Sequence, residues 1–206
     1  MCIRDSRNML RTKIGSGIVL FPGNPLSPNN YPNNAYYFRQ DSSFLYYFGL
    51  NIPSLAGLID ADTGEEALYG DDFTVEDIIW TGPQPTLREL GAKVGIAATH
   101  PLSELEKRLR KAISLGRKIH FLPPYRGETK LWLSSLLGIK PTLLHDYKSV
   151  DLMFAVAEMR EKKSAEEVEE MERAFQIGYK MHTLAMKMCR CLLYTSDAAD
   201  DLLCVD

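Results

Sequence analysis

The residues best suited to chemistry lie in one aromatic run, Tyr36-Tyr37-Phe38-Arg39-Gln40-Asp41-Ser42-Ser43-Phe44-Leu45-Tyr46-Tyr47-Phe48-Gly49. A guanidinium and an amide sit there among rings. Arg39 offers a planar fork of donors that matches a carboxylate, and Gln40 carries both a donor and an acceptor with which to pin a loop. The same run also reads as plain core, with packed aromatics and Arg39 in a local ion pair. Trp80, between Asp77-Ile78-Ile79 and Thr81-Gly82-Pro83, either covers the domain's own core or walls a ligand or interface, where tryptophan is enriched. Leu122-Pro123-Pro124-Tyr125-Arg126-Gly127-Glu128 is a stiff loop after an apolar run, a position that suits binding as well as simple connection.

Other chemistries lack their residues. His100, His120, His145 and His182 show no ligand spacing such as His-x-x-x-His, and His182 reads as a packed or surface helix residue. No phosphate-cradling glycine loop and no nucleophile elbow occurs. No dense Lys/Arg run suggests a nucleic-acid surface. No apolar run reaches the roughly 18 to 20 residues of a membrane span, and Gly15 to Phe21 is too short and interrupted for a signal peptide.

The elements that must position these residues follow from period and punctuation. Gly17 to Phe21 reads as a buried strand ending at Pro22-Gly23, followed by a polar loop rich in Asn and Pro through Asn34. Phe44 to Phe48 and Leu55 to Ile59 read as strands, and Asp62-Thr63-Gly64 as a turn into a strand at Glu66 to Tyr69. Thr74 with Asp77, Thr86 with Glu89, and Ser103 with Glu106 each set a hydroxyl three residues before a carboxylate, the pattern of a helix start. Val94 to Ala97 and Lys118 to Leu122 are the intervening strands. Leu102, Leu105, Leu109 and Ile113 form one helical stripe, so the expected architecture is α/β, a mixed β-sheet flanked by helices. Ser164 and Glu167 open a further helix of about 25 residues with an apolar stripe at Val168, Met171, Phe175, Gly178, His182 and Ala185. Arg160 to Lys163 is the expected domain junction.

The two ends of the chain encode each other. Met1 to Ser6 permit the codons ATG TGT ATA AGA GAC AG, whose reverse complement in one frame gives Cys-Leu-Leu-Tyr-Thr, residues 191–195. This looks like the transposase end used in sequencing-library preparation, so residues 1–6 and 191–206 are expected to be adapter translation, and the native polypeptide is expected to continue past Arg190. Setting aside Arg4 and Asp5, Asp197, Asp200, Asp201 and Asp206 turns 24 basic against 27 acidic residues into 23 against 22. Of the four cysteines Cys189 alone remains, which builds neither a disulfide framework nor a cysteine zinc site and fits a reducing cytoplasm.

Tyr37 to Ser42 with Phe44 and Tyr47-Phe48-Gly49, then Asp77-Ile78-Ile79-Trp80, then Glu158-Met159-Arg160 with Lys163-Ser164-x-Glu166-Glu167, resembles the N-terminal region of the aminopeptidase P (Xaa-Pro aminopeptidase) family. The resemblance spans nearly all of residues 8 to 190. It implies a creatinase-like N-terminal domain over residues 7–160, and a linker and first helix of a truncated pita-bread metallopeptidase domain over 161–190. The full-length family enzyme holds two metal ions, commonly manganese, on Asp, Asp, His, Glu and Glu ligands, and releases the first residue from peptides with proline second. Those ligands would all lie beyond this chain, which is therefore expected to hold no catalytic residue and no metal and to be inactive alone. Oligomers of the family bring this domain close to a neighbour's active site. Trp80 matches a tryptophan that helps wall that site, Asn33 aligns near a polar position of similar location, and Arg39 matches a family arginine. The expected partners are peptide substrates and further copies of the same chain, with no nucleic acid and no membrane. Alternatives are a non-catalytic binding protein of the same architecture, as in some histone-chaperone subunits, or a prolidase or creatinase relative.

Overall fold

The sheet is organised around β1 (Ile18–Pro22), whose side chains alternate between two cores because successive strand residues face opposite ways. Ile18 and Leu20 enter one core, and Val19 and Phe21 the other. The computed structural model describes residues 3–31 and 34–189. Asn33 and the stretch 191–206 expected to be adapter-derived lie outside the described residues.

β1 pairs antiparallel with β2 (Ala56–Asp60), setting Ile18 opposite Asp60, and parallel with β5 (Ile119–His120). β2 pairs antiparallel with β3 (Glu66–Tyr69), and β3 pairs parallel with β4 (Ala98–His100). The order β4-β3-β2-β1-β5 is the mixed sheet that the sequence predicts. Helices α1 (Ile3–Ile14), α2 (Ser42–Phe48), α4 (Leu87–Lys93) and α7 (Val150–Glu161) supply the core on the Val19 and Phe21 face. α5 (Leu102–Ser114) and α6 (Gly127–Leu137) supply the opposite core. α3 (Val75–Thr81) buries no residue. The chain forms two compact units, one ending at Glu161 and one beginning at Lys162, and the second carries α8 (Ala165–Met188).

Several elements differ from the sequence reading. Phe44 to Phe48 is helical because Asp41 accepts from the N–H groups of Ser43 and Phe44, and Gly49 closes the turn at φ 66°. The helix then places Phe44, Tyr47 and Phe48 on one face, all fully buried. The strand expected at Val94 to Ala97 begins later, at Ala98, because Val94 still belongs to the end of α4. α5 begins at Leu102, before the proposed Ser103 cap, and Asp71 accepts from the Leu102 N–H instead. The boxes at Thr74, Thr86 and Ser164 form as predicted.

Gly57 and Gly23 are among the glycines that fit because they lack a Cβ. A Cβ on Gly57 would lie 2.1 Å from Phe48 Cζ, and one on Gly23 would lie 2.6 Å from the Leu55 carbonyl.

Among the described residues buried charge is paired. Arg7, wholly enclosed, donates to Glu66 Oε2 at 2.8 Å and to the carbonyls of Tyr47 and Val94 at 3.0 Å, and its guanidinium lies over the Phe48 ring. It ties α1 to β3, α2 and the end of α4. Asp60 accepts from Arg117 at 2.9 and 2.5 Å, from Arg108 at 3.3 Å, and from the N–H groups of Asp62 and Thr63 at 3.1 Å. Burial would push its carboxyl up, but Arg117 and the N–H groups of Thr63 and Asp62 outweigh burial and hold it below the usual range.

Candidate functional site

The aromatic run divides at Asp41. Residues after it enter the core through α2, whereas Tyr36 and Tyr37 before it are exposed. The divide is held by Gln40, which is buried. Its Oε1 accepts from the N–H groups of Asn24 at 2.6 Å and Asp41 at 2.8 Å, while its Nε2 donates to the Ile52 carbonyl at 2.7 Å. Gln40 therefore pins the loop after β1 to the start of α2, as its chemistry suggests. Asn24, also buried, extends the lock by donating from Nδ2 to the Arg39 carbonyl at 3.0 Å and to Tyr125 Oη at 3.2 Å. The stiff loop at residues 122–128 thus joins the same network. Sequence reasoning passed over Asn24, because its partners lie far along the chain.

Arg39 is held by its backbone and presents its side chain to solvent. The local ion pair considered for it does not form among the described residues. Its guanidinium keeps all its donors, which is what recognition of an incoming carboxylate requires.

Trp80 lies on α3, which starts where Thr74 and Asp77 cap each other. Asp77 Oδ2 accepts from the Thr74 N–H at 2.9 Å and from its hydroxyl at 2.6 Å, and the Thr74 hydroxyl accepts from the Asp77 N–H at 3.2 Å. The Thr74 hydroxyl and the Thr74 N–H hold the Asp77 carboxyl below its ordinary value. Gly82, at φ 76°, ends the helix. Trp80 is 83% exposed, with Val75 and Ile79 beside it at 77% and 74%. It does not cover the domain's own core. No hydrogen bond or cation–π contact joins Trp80 to Arg39 among the described residues.

His120 is buried on β5, with Nδ1 at 2.6 Å from Ser149 Oγ and Nε2 at 3.1 Å from the Ser16 carbonyl. The carbonyl can only accept, so Nε2 carries the proton and Ser149 donates to Nδ1. Burial, reinforced by Lys118, lowers its pKa, and the pair locks α7 to the sheet. Among the described residues no three His, Cys, Asp or Glu side chains gather so as to hold a metal ion. The described residues do not fit a dinuclear centre. No helix among them is long and apolar enough to cross a membrane.

A mixed five-stranded sheet wrapped by helices, with a pinned aromatic loop and an exposed capped helix, defines an α/β domain that presents surface without an assembled catalytic cluster among the described residues. The family described as "Aminopeptidase P, N-terminal domain" matches residues 3–122, and the chain belongs to it. The Xaa-Pro aminopeptidase of Escherichia coli (strain K12) is 28% identical over 186 residues, covering 85% of this chain and 41% of the relative. An uncharacterized peptidase of Saccharomyces cerevisiae is 26% identical over 181 residues, covering 88% of this chain and 32% of that one. Zinc-substituted E. coli aminopeptidase P in complex with product superposes with a TM-score of 0.77 at 22% identity, covering 97% of this chain and 47% of that one. Pseudomonas aeruginosa aminopeptidase PepP gives 0.76 at 20% identity, over 98% and 47%. These two superpositions show the shared fold. The chain spans about a third to a half of the length of these relatives.

Proposed function

We propose that the chain is the N-terminal part of a Xaa-Pro aminopeptidase, a dinuclear metal hydrolase acting on peptides with proline second, and that this part shapes the substrate site and mediates oligomerisation rather than performing the hydrolysis. The metal ions, manganese on the family resemblance, belong in this reading to the portion of the enzyme beyond the chain. Trp80, Asn33 and Arg39 line the wall of a neighbouring subunit's active site. The cytoplasm is the compartment. The observation that carries the reading is α3, a doubly capped helix that holds Trp80, Ile79 and Val75 in solvent and buries nothing of its own domain. Such a patch is maintained at a cost in solubility, which an interface or ligand wall explains. The E. coli relative named a Xaa-Pro aminopeptidase supports the peptide class.

The test is Trp80→Ala in the full-length enzyme encoded by the contiguous gene. The expected outcome is a fall of about tenfold in kcat/KM for a Xaa-Pro peptide, from lost substrate placement, with an unchanged thermal midpoint. Unchanged kinetics would remove Trp80 from the site wall, and an enzyme without peptidase activity would favour a binding protein of the same architecture.

A further inference from the structure

α6 begins beside a cavity. Its first turn has no side-chain cap, since Arg126 precedes it and supplies none. The leading N–H groups of a helix carry the positive end of its dipole and favour an anion when nothing else satisfies them. Beside this end lies a cavity of about 250 Å³ whose walls include Leu55, Leu102, Glu128, Thr129 and Trp132. Thr129 lines both this cavity and the smaller one next to it. Thr129 is 9% exposed and among the described residues its side chain makes no hydrogen bond, although every fully enclosed side-chain polar atom described has a partner. The unpaired hydroxyl is therefore not sealed from solvent, and the residue borders both cavities.

We propose that this cavity binds a single apolar α-amino acid in its zwitterionic form. The carboxylate lies at the α6 N-terminus and accepts from Thr129 Oγ1. The ammonium pairs with Glu128, which faces the same cavity and is held only by a 3.7 Å contact to Arg126 that an incoming cation can replace. The side chain packs on Leu55, Leu102 and Trp132. Size selects the ligand, because the volume falls below the roughly 300–1,000 Å³ typical of pockets for drug-sized molecules. Charge selects it further, since an anion site and a carboxylate stand on neighbouring residues of one helical turn.

The chain has two tryptophans. In the full chain carrying Trp80→Phe, Trp132 becomes the sole indole and reports on the cavity directly. Titration with L-leucine should change its emission saturably, with a Kd on the order of 1 mM. Leucinamide, lacking the carboxylate, and N-acetylleucine, lacking the ammonium, should each bind at least about tenfold more weakly. Thr129→Val and Glu128→Gln, which preserve shape, should each weaken leucine by about tenfold at unchanged thermal midpoint. Absence of a saturable response below about 50 mM, or an equal response to leucinamide, overturns the proposal. The ligand series needs neither of these variants, so a misfolded substitution would not shelter it.

Discussion

α2 and α3 are both seven residues long, both start at a capping side chain and both end at a glycine with positive φ. Each carries apolar residues at i, i+3 and i+4: Phe44, Tyr47 and Phe48 in one, Val75, Ile78 and Ile79 in the other. Yet the first set is wholly buried, while α3 buries nothing. The helical stripe is the same, so periodicity does not distinguish them. What distinguishes them is the ground each stands on. α2 follows the Gln40 lock and meets β1 and β2 directly, with Phe48 pressed onto Gly57. α3 lies between Phe73 and Gly82, and none of its residues is buried, Val75 and Ile79 of its stripe being 77% and 74% exposed. A stripe states that a face requires cover, and only the tertiary structure states whether the chain itself provides it.

The largest break in this comparison is Phe48→Ala. It opens a cavity among Phe21, Phe44 and the Arg7 guanidinium, and it should cost about 3–5 kcal/mol by chemical denaturation, the range for truncating a buried aromatic. A loss below about 1 kcal/mol would mean that α2 is not the core element described, since such small effects belong to exposed positions.

Capping offers a finer contrast. Asp41→Ala removes the acceptor for two N–H groups and should cost about 1 kcal/mol of global stability, because α2 unfolds only with the core. Thr74→Ala removes the equivalent group from α3 but should leave the denaturation midpoint almost unchanged. Its effect should appear locally, as faster amide exchange at Ile78 and Gly82, whose N–H groups bond to the Thr74 and Ile78 carbonyls. Equal global costs for the two variants would erase the distinction between the helices.

Sequence alone was most informative where the physical signal is local. The strand at β1, the turn through Asp62 and Gly64, and the boxes at Thr74, Thr86 and Ser164 depend on neighbours within a few residues. Phe44 to Phe48 misled because a five-residue aromatic run shows no clear period, and the deciding contacts came from Asp41 and Gly49 at its edges. α7 carried a readable sign that was missed, Ser149 accepting from the Leu152 N–H just ahead of an apolar segment. α6 carried none, having no capping side chain. The Asn24 lock, the enclosed Arg7 and the unpaired Thr129 hydroxyl all depend on segments far apart in sequence, so composition and spacing could not announce them. Trp80 was legible as a candidate, but whether it faced inward or outward was not, because a tryptophan before a turn satisfies either role.

The smallest expected effect is also the most discriminating, the stability change on Trp80→Ala in the present chain. A Trp80 that covered its own core would cost about 3–5 kcal/mol on truncation. At 83% exposure it leaves little apolar surface to re-expose, so the substitution should stay within about 0.5 kcal/mol, as exposed positions do. The cap is untouched, since Thr74 and Asp77 lie on the first turn and Trp80 on the last, and alanine is a better helix former than tryptophan. α3 should therefore persist, and the apolar surface it offers to other molecules should shrink. The paired readout is the denaturation midpoint together with retention in high salt on a hydrophobic-interaction column. An unchanged midpoint with earlier elution places Trp80 on an outward-facing surface, whereas a lowered midpoint would return it to the core and make α3 a second α2.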